Sequence, residues 1–482
     1  MSQLARTVLR NSVAGMIAQL AIKVLSFCFS ILIVRQLGAT DFGQYAAVIG
    51  FGSVFLFIAD LGLAPYTVRE VARLRSESDS LTRIRDLYAD VLGLRLILAL
   101  IAGVMVVSAA IVTERPWLMI GAIALNGITL LIYALHGSSE AVLAGYERLD
   151  LTAGMQVINQ LIFVTLGGLA LWIGFGYYGL IIATMIGVAT MTALVVRALL
   201  RLGIRPGRWQ RDRWLRLLRA AFPFGVIGLT LGLSYRFDTV VLNISFGDAA
   251  TGYYNAAYNL IFALVTLSNV LNTALYPSLS RQAKIDPGNL PRIYERILSY
   301  LLIVALPITA GGFILAQPLV RFLFGEAYAA SAPLLALLIW TLPLMFLTEF
   351  LGYVVVITDR EALVARSIMI SSSINVAANL MFTPRYGAPA AAIITVLTEA
   401  VLAMQYVWLL RDQLRLMRWQ PVGRAAVAVL LMAAAVYLAR EWPVLLVIGG
   451  GGAIYGGLLI GLRVIGAEEA SFVRKLLIAR QQ

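Results

Sequence analysis

The sequence is poor in the residues that metal centres and disulfides require. It holds one cysteine, Cys28, and one histidine, His136, so it cannot form an internal disulfide or a Cys/His zinc cluster. It contains no Walker-type GxxxxGK[ST] segment and no HExxH segment, which gives no sign of ATP hydrolysis or of a catalytic metal. We therefore expect no metal, no cofactor and no catalytic residue, and we interpret His136 as a residue that packs between helices.

Charge is also scarce. Charged residues make up 13% of the chain and hydrophobic residues 60%, with a mean hydropathy of +0.86. Soluble domains are about half apolar and a quarter charged, so lipid is the predicted solvent for most of this chain. The net charge of +13 does not indicate nucleic-acid binding, because arginines at the cytoplasmic ends of membrane spans produce the same excess.

Long apolar runs recur along the chain, bounded by charged residues or by Pro/Gly turns. A helix needs about 20 apolar residues to cross the hydrocarbon core, and fourteen runs are suited to this. They lie at 12–36, 44–68, 88–112, 117–144, 152–174, 177–197, 220–244, 250–279, 297–319, 331–357, 364–383, 388–410, 423–439 and 443–464. The predicted fold class is an all-α polytopic membrane protein with about fourteen transmembrane helices. The basic N-terminal segment leads straight into the first run, which predicts an uncleaved first helix.

The positions of the basic residues predict the orientation of these spans. If the N-terminus is cytoplasmic, thirty of the 38 Lys and Arg residues fall in cytoplasmic segments. The outside loops then hold four, namely Arg115, Arg321, Arg385 and Arg440. An error of one span would invert every later loop, so this asymmetry favours a cytoplasmic N-terminus and a cytoplasmic C-terminus.

An internal repeat relates the two halves of the chain. The segment LGATDFGQYAA (37–47) aligns with FGDAATGYYNAA (246–257), and Gly38 matches Gly247 at an offset of 209. Later in each half, YYGLIIATMIGVAT aligns with RYGAPAAAIITVLT, at an offset of 208. Six spans separate the copies, and because this number is even the halves share one orientation in the membrane. We predict an N-terminal six-helix lobe at 1–205, a C-terminal six-helix lobe at 206–411, and transmembrane helices 13 and 14 with a cytoplasmic tail at 412–482.

Charged residues inside the spans are the candidate functional residues. A charge at mid-bilayer costs about 2.5 to 3.5 kcal/mol on insertion scales, so such residues normally face a wet cavity or a partner. The basic ones are Lys23, Arg95 and Arg236, and the acidic ones are Asp60, Asp238, Glu349 and Glu399. We assign the basic residues to a substrate cavity and the acids to ion coupling or to pairing.

Polar residues reinforce this interpretation. In the first span Gln19, Lys23, Ser26 and Ser30 share one helix face. The eighth span, close to the second copy of the repeat, carries Asn255, Asn259, Thr266, Asn269 and Thr273. Polar stripes on equivalent helix pairs indicate a hydrated cleft between the lobes. The alternative is that these groups form pairs between helices and only stabilise the bundle.

The glycine-rich part of the last span has a simpler interpretation. Gly449–Gly452 resembles a phosphate-binding loop only superficially, and small residues in a membrane helix favour close packing against a neighbour.

Three segments resemble a known family. They are SILIVRQLGATDFGQYAAV (30–48), FIADLGLAPYTVREVAR (57–73) and PRYGAPAAAI (384–393). In order and spacing they are similar to the polysaccharide and O-antigen, or lipid-linked oligosaccharide, flippases of the multidrug/oligosaccharidyl-lipid/polysaccharide exporter superfamily. The resemblance covers nearly the whole chain.

The resemblance implies two six-helix lobes around a central cavity that opens alternately to either side of a bacterial inner membrane. It implies movement of an undecaprenyl-pyrophosphate-linked oligosaccharide to the outer leaflet for cell-surface polysaccharide synthesis. Lys23, Arg95 and Arg236 match by position the basic residues thought to attract the pyrophosphate. The implied partners are membrane lipid, this substrate, and polysaccharide polymerase or glycosyltransferase machinery.

Three alternatives stay open from the sequence. One is a lipid II flippase, which also has fourteen spans, and another is a multidrug or cation antiporter of the same superfamily. The third is a membrane enzyme such as an O-antigen polymerase or glycosyltransferase. Such an enzyme needs a sizeable extracytoplasmic loop, whereas every predicted outside loop is short.

Overall fold

The structure is a computed structural model that describes residues 3–75, 80–358, 360–414 and 419–464. Its regular elements are helices, and the described residues include no strand. The α-helices are α1 Gln3–Asp60, α2 Leu63–Leu74, α3 Ser80–Val112, α4 Trp117–Gly145, α5 Leu149–Trp172, α6 Gly176–Arg201, α7 Trp214–Ile285, α8 Leu290–Ile314, α9 Ala316–Phe324, α10 Ser331–Leu338, α11 Thr341–Ile357, α12 Glu361–Leu409, α13 Trp419–Leu438 and α14 Val444–Gly461. Three single-turn 3₁₀ helices lie at Arg211–Arg213, Pro287–Asn289 and Glu326–Tyr328.

Glycines divide the longest helices. In α1 the backbone at Gly38 has φ 71° and ψ 174°, and in α7 the backbone at Gly247 has φ 79° and ψ −171°. In α12, Gly387 has φ 68° and ψ −152°. This region of positive φ with extended ψ is essentially restricted to glycine. The first two glycines are the matched pair of the repeat, so the two copies also share an unusual backbone conformation.

The helices supply the predicted number of spans. In the part of the chain that the structure describes, nine helices are long and apolar enough to cross a membrane, and the bent pair Ser331–Leu338 and Thr341–Ile357 raises the number to ten. Within the described residues α1, α7 and α12 each provide two membrane-length segments, one on either side of their glycine. Counted in this way, the described helices account for the fourteen predicted spans.

The structure differs from the sequence analysis in the end of one span and in one pair of aligned glycines. The second span ends at Asp60 rather than near 68, because Leu61 and Gly62 turn through positive φ of 44° and 82° before the amphipathic helix α2 begins. Gly387 breaks its helix, whereas Gly179 lies inside α6. In the first half, the positive-φ glycines of that region are Gly174 and Gly176.

Within the described residues the chain packs into two compact units. The first unit comprises Val24–Gly252 and Asn379–Gly387, and the second comprises the rest. These units are defined by which residues pack together, whereas the predicted lobes at 1–205 and 206–411 are defined by the sequence repeat. The lobe boundaries therefore stay a prediction.

The core of the first unit includes an apolar cluster formed by α2, α3, α4, α6 and the start of α7. Its members include Val71, Val91, Leu143 and Val195, each fully buried. Only one face of α2 is buried, through Leu63, Thr67, Val71 and Leu74. Arg69 and Arg73 are exposed, as expected for a helix that lies along an interface.

In the second unit, the last two spans pack against α8. Met432 and Val436 of α13 and Tyr455 of α14 form one buried cluster with Ile303 of α8. The Tyr455 hydroxyl donates a hydrogen bond of 2.7 Å to the Ile303 carbonyl oxygen. The predicted appendix is thus attached to its unit by apolar packing and a buried polar contact.

Candidate functional site

The basic residues assigned to a cavity have different surroundings. Lys23 is exposed and belongs to the second unit, and Arg236 is half-buried near Tyr45 in the first unit. Neither forms an ion pair with another side chain among those the structure describes. Arg95 is only 5% exposed and its Nη2 lies 3.0 Å from Oδ1 of Asp60. In this structure Arg95 is therefore committed to an internal ion pair.

Arg95 belongs to a larger charged cluster in the first unit. Glu140 also acts on Arg95 electrostatically, and Glu140 Oε2 lies 3.3 Å from His136 Nε2. The cluster thus joins Asp60 at the end of α1, Arg95 on α3, and His136 and Glu140 one turn apart on α4. The absence of a side chain at Gly137 admits the guanidinium, since a methyl group there would lie 2.6 Å from Arg95 Nη2.

The acids of the second unit have polar neighbours. Asn269 Nδ2 donates a hydrogen bond of 2.5 Å to Oε1 of Glu349. The hydroxyl of Thr348, the residue before Glu349, donates a hydrogen bond to Glu399. Glu399 in turn interacts electrostatically with Glu349. Glu349 Oε2 is buried without a hydrogen-bond partner among the described groups. The structure therefore brings together the predicted residues Asn269, Glu349 and Glu399.

The remaining predicted polar residues do not converge on one site within a unit. Asp238 is 3% exposed, and its Oδ1 accepts from the amide of Thr239 at 2.6 Å. Ser26 and Asn259 are half-buried. The side chains of Gln19 and Thr273 lie outside the described residues. These assignments stay predictions.

The two repeat copies pack directly against each other, which sequence reasoning missed. A methyl group at Gly43 would overlap the carbonyl oxygen of Asp248, and one at Gly252 would overlap the carbonyl oxygen of Ala39. Gly43 matches Gly252 in the repeat, and Ala39 matches Asp248, so the contact is symmetric. The paired small residues at equal offset were the available signal, because small residues permit close backbone approach.

Polar bonds reinforce this contact. The Asp248 carboxylate accepts 2.9 Å hydrogen bonds from Gln44 Nε2 and from Asn243 Nδ2. Arg115 Nη1 donates to the Asn243 carbonyl oxygen at 3.2 Å. Burial lowers the pKa of the Arg115 guanidinium from its ordinary value, and the charge of Asp248 opposes this shift. A hydrogen-bonded polar cluster thus lies beside the repeat contact. Its members are Gln44, Arg115, Asn243 and Asp248.

The segment between the two halves is anchored to the first turns of α3. Arg85 Nη2 donates to the Gly203 carbonyl oxygen at 2.5 Å, and Asp86 Oδ1 accepts from the Arg208 amide at 3.0 Å. Asp90, 1% exposed, accepts from the Gln210 amide at 2.6 Å and from the indole nitrogen of Trp214 at 3.3 Å. This anchored segment, residues 203–214, is therefore held in a defined position.

Among the described residues, no group of three or more His, Cys, Asp or Glu side chains is placed to hold a metal ion. What the arrangement offers is charge inside an apolar bundle and backbone breaks between membrane-length helices. Such features suit the movement of a polar group through a membrane rather than bond-making chemistry.

The comparisons with known proteins agree with this interpretation. Residues 8–282 match the family model described as "Polysaccharide biosynthesis protein". The "Probable low-salt glycan biosynthesis flippase Agl15" of Haloferax volcanii is 20% identical over 442 residues, covering 89% of each chain.

Solved structures share the fold at low identity. The lipid II flippase MurJ in its inward closed conformation matches with a TM-score of 0.79 and 14% identity, over 94% of this chain and 99% of that one. An inward-facing multidrug resistance MATE family transporter of the MOP superfamily matches with a TM-score of 0.64 and 16% identity, over 83% of this chain and 98% of that one.

The fold and the in-span charges define a multi-pass membrane protein whose structural neighbours are transporters. The family model covers more than half of the chain. The chain therefore belongs to the polysaccharide biosynthesis protein family, and the predicted family and fold class are confirmed.

Proposed function

We propose that the protein is a flippase that moves an undecaprenyl-pyrophosphate-linked oligosaccharide across a bacterial cytoplasmic membrane by alternating access. The observation that carries the proposal is the family match over residues 8–282, which includes the paired repeat segments 37–47 and 246–257. The Haloferax relative is named a probable flippase of glycan biosynthesis, which supports a flippase function connected with glycan synthesis. The lipid tail stays in the bilayer while the charged head crosses, so the barrier lies in desolvating the head group.

Lys23 and Arg236 are the residues we propose to contact the pyrophosphate. Both are basic residues within spans and neither has an ion-pair partner among the described side chains. A charge that is not neutralised within the protein is available to an anionic ligand, and hydrogen bonds between ionised groups are the strong ones. We assign Arg95 a lesser part, because Asp60 already neutralises it in this structure.

We further propose that both termini are cytoplasmic and that the oligosaccharide, once outside, passes to enzymes that polymerise or transfer it. The predicted lobes at 1–205 and 206–411 would then alternate around the cargo, with 412–482 as an appended pair of helices and a tail. The asymmetry of the basic residues supports this orientation.

The test is a flipping assay in proteoliposomes. A lipid-linked oligosaccharide is placed in the inner leaflet, and a lectin or a sugar-oxidising reagent outside records its arrival in the outer leaflet. Protein-dependent acceleration supports the proposal. No acceleration with this cargo, together with acceleration of lipid II or efflux of a cationic dye, would replace it with the lipid II flippase or the antiporter.

A further inference from the structure

The flippase function leaves His136 and Glu140 unexplained. His136 is the only histidine of the chain and is 7% exposed. Its Nε2 faces Glu140 Oε2 at 3.3 Å, while its Nδ1 is buried without a hydrogen-bond partner among the described groups. The sequence predicts a packing residue here, but a buried imidazole paired with a carboxylate has the groups needed to bind a proton.

Charged groups reach this pair from two neighbouring helices. Arg95 approaches from α3 and acts on Glu140, and Asp60 at the end of α1 holds the other side of Arg95. On α2, which also packs against α4, Glu70 lies 3.9 Å from Arg73 of its own helix. The remaining charge of α2, Arg69, lies over the Phe224 ring of α7.

The other helices that contact α4 carry few charges. Those of α6 are Arg197 and Arg201, in its last two turns, and the single charge of α5 is Asp150, whose side chain lies outside the described residues. The electrostatic neighbours of His136 and Glu140 are therefore Arg95 and, through it, Asp60.

The charge balance of this cluster depends on one proton. With one proton shared by His136 and Glu140 the pair is neutral, and Arg95 and Asp60 neutralise each other. Without that proton the pair carries one negative charge inside an apolar bundle. An uncompensated buried charge is strongly unfavourable, and Arg95 is the cation that can offset it. Arg95 must then serve two carboxylates, so loss of the proton weakens its bond to Asp60.

Asp60 connects this cluster to a junction between α1 and α7. Its Oδ1 also accepts a hydrogen bond of 3.2 Å from the amide of Ala64, at the start of α2. The next residue, Leu61, packs against the backbone of α7, since a methyl group at Gly225 would lie 2.6 Å from the Leu61 carbonyl carbon. A change in the bonding of Asp60 therefore acts directly on a backbone contact between two spanning helices.

We propose that His136 and Glu140 form a binding site for the coupling proton, and that its release draws Arg95 from Asp60 and loosens the α1–α7 junction at Leu61. This inference rests on the proposed transporter function and adds the ion and the residues that couple it to the helices. The ligand is a proton, and the linkage runs from His136 through Glu140, Arg95 and Asp60 to the junction.

The test measures a distance across the junction as a function of pH. In a Cys28→Ser background, spin labels are attached through Arg73→Cys on α2 and Leu215→Cys on α7, both exposed positions. A pH series from about 5.5 to 8.5 spans the range in which imidazole ordinarily titrates. We expect the distance distribution to change with pH, and we expect His136→Gln and Glu140→Gln to remove that change. Glu147→Gln, at an exposed glutamate two residues after the end of α4, is the matched control and should retain the change with pH.

Transport gives an independent second readout. A pH gradient should accelerate flipping by the wild type and by Glu147→Gln, but should leave His136→Gln at its rate without a gradient. If His136→Gln and Glu140→Gln both respond to pH as the wild type does, the proton site is wrong even if the protein flips its cargo. If the distance follows pH through His136 but no lipid-linked cargo moves, the proposed function is wrong and the proton site stands. Should His136→Gln fail to fold, Glu140→Gln decides the same question.

Discussion

At the scale of single residues, Asp60 connects the charged cluster to the turn between α1 and α2. It pairs with Arg95 and at the same time accepts a hydrogen bond from the Ala64 amide in the first turn of α2. The sequence showed that both charges lie within spans but not that they meet. Spacing along one helix predicts which residues share a face, whereas pairing between helices depends on how those helices pack.

Breaking the Asp60–Arg95 pair should destabilise the fold strongly. Arg95 is 5% exposed, so Asp60→Ala leaves a buried charge without its closest partner, and such losses cost about 3 to 5 kcal/mol. Thermal unfolding in detergent measures the effect. Glu70→Ala removes a partner of the exposed Arg73 and should cost at most about 1 kcal/mol. Equal stability of the two variants would show that Asp60 does not neutralise Arg95.

Removing either unpaired basic residue should impair flipping. If Lys23 and Arg236 bond the pyrophosphate, Lys23→Ala and Arg236→Ala each lose a charged hydrogen bond and should slow flipping about ten- to a hundredfold. Membrane insertion and thermal stability should be unchanged, and Lys23→Arg should keep most of the activity. Arg385→Ala, at an exposed position, is the control. Wild-type rates in both alanine variants would remove these residues from the cargo path.

At the scale of elements, glycine is required at the repeat positions for two different reasons. Gly38 and Gly247 have open space where a side chain would be, so glycine is required there by the backbone conformation alone. Gly43 and Gly252 have ordinary helical backbones but no room, because each touches the other copy of the repeat.

A methyl group at the repeat contact should therefore be costly. Gly43→Ala would overlap the Asp248 carbonyl oxygen, and forcing extra volume into a packed contact costs about 1 to 3 kcal/mol. Gly450→Ala is the matched control, since nothing lies within 4 Å of the added carbon there. Unfolding in detergent should separate the two variants. If Gly43→Ala is as stable as Gly450→Ala, the close approach of the two copies is wrong.

A second prediction at this scale concerns the anchored segment between the halves, which should detach when Asp90 is removed. Asp90→Ala leaves the Gln210 amide and the Trp214 indole without their acceptor. An unpaired buried donor costs about 1 to 3 kcal/mol. Gln210 and Trp214 are half-buried, so we expect a cost toward the lower end of that range and more frequent detachment of the segment. Limited trypsin digestion at its exposed arginines should then be about tenfold faster or more. Asp212→Ala, in the same segment but exposed, should be cleaved at the wild-type rate, and a similar rate for Asp90→Ala would show that Asp90 is not an anchor.

At the scale of the whole molecule, the orientation in the membrane is the next prediction. With Cys28 replaced by serine, Arg211→Cys should resist a membrane-impermeant thiol reagent in intact cells and react after the cells are opened. Arg440→Cys, in a predicted outside loop, should react at once. Both positions are exposed, so accessibility alone does not decide the outcome. Labelling of position 211 in intact cells would contradict the predicted orientation and place this segment outside.

Much of the architecture could be predicted because membrane insertion is governed by local properties. A run of about 20 apolar residues predicts a span wherever it occurs, so the spans and their number followed from the sequence. Their limits followed less well: the second apolar run continues past Asp60, but the helix ends there because Leu61 and Gly62 adopt positive φ.

The sequence by itself determined the fold class, the fourteen spans, the family and the repeat, because each depends on composition or on residue spacing along the chain. Only the tertiary structure decided which charges pair. Arg95, Asp60 and Glu140 come from three helices. The spacing of His136 and Glu140 already puts them on one helix face, but only the structure showed that His136 is buried and that Arg95 reaches Glu140. The physical reason is that the cost of a charge in a membrane depends on its partner, and partners separated along the sequence are brought together by packing alone.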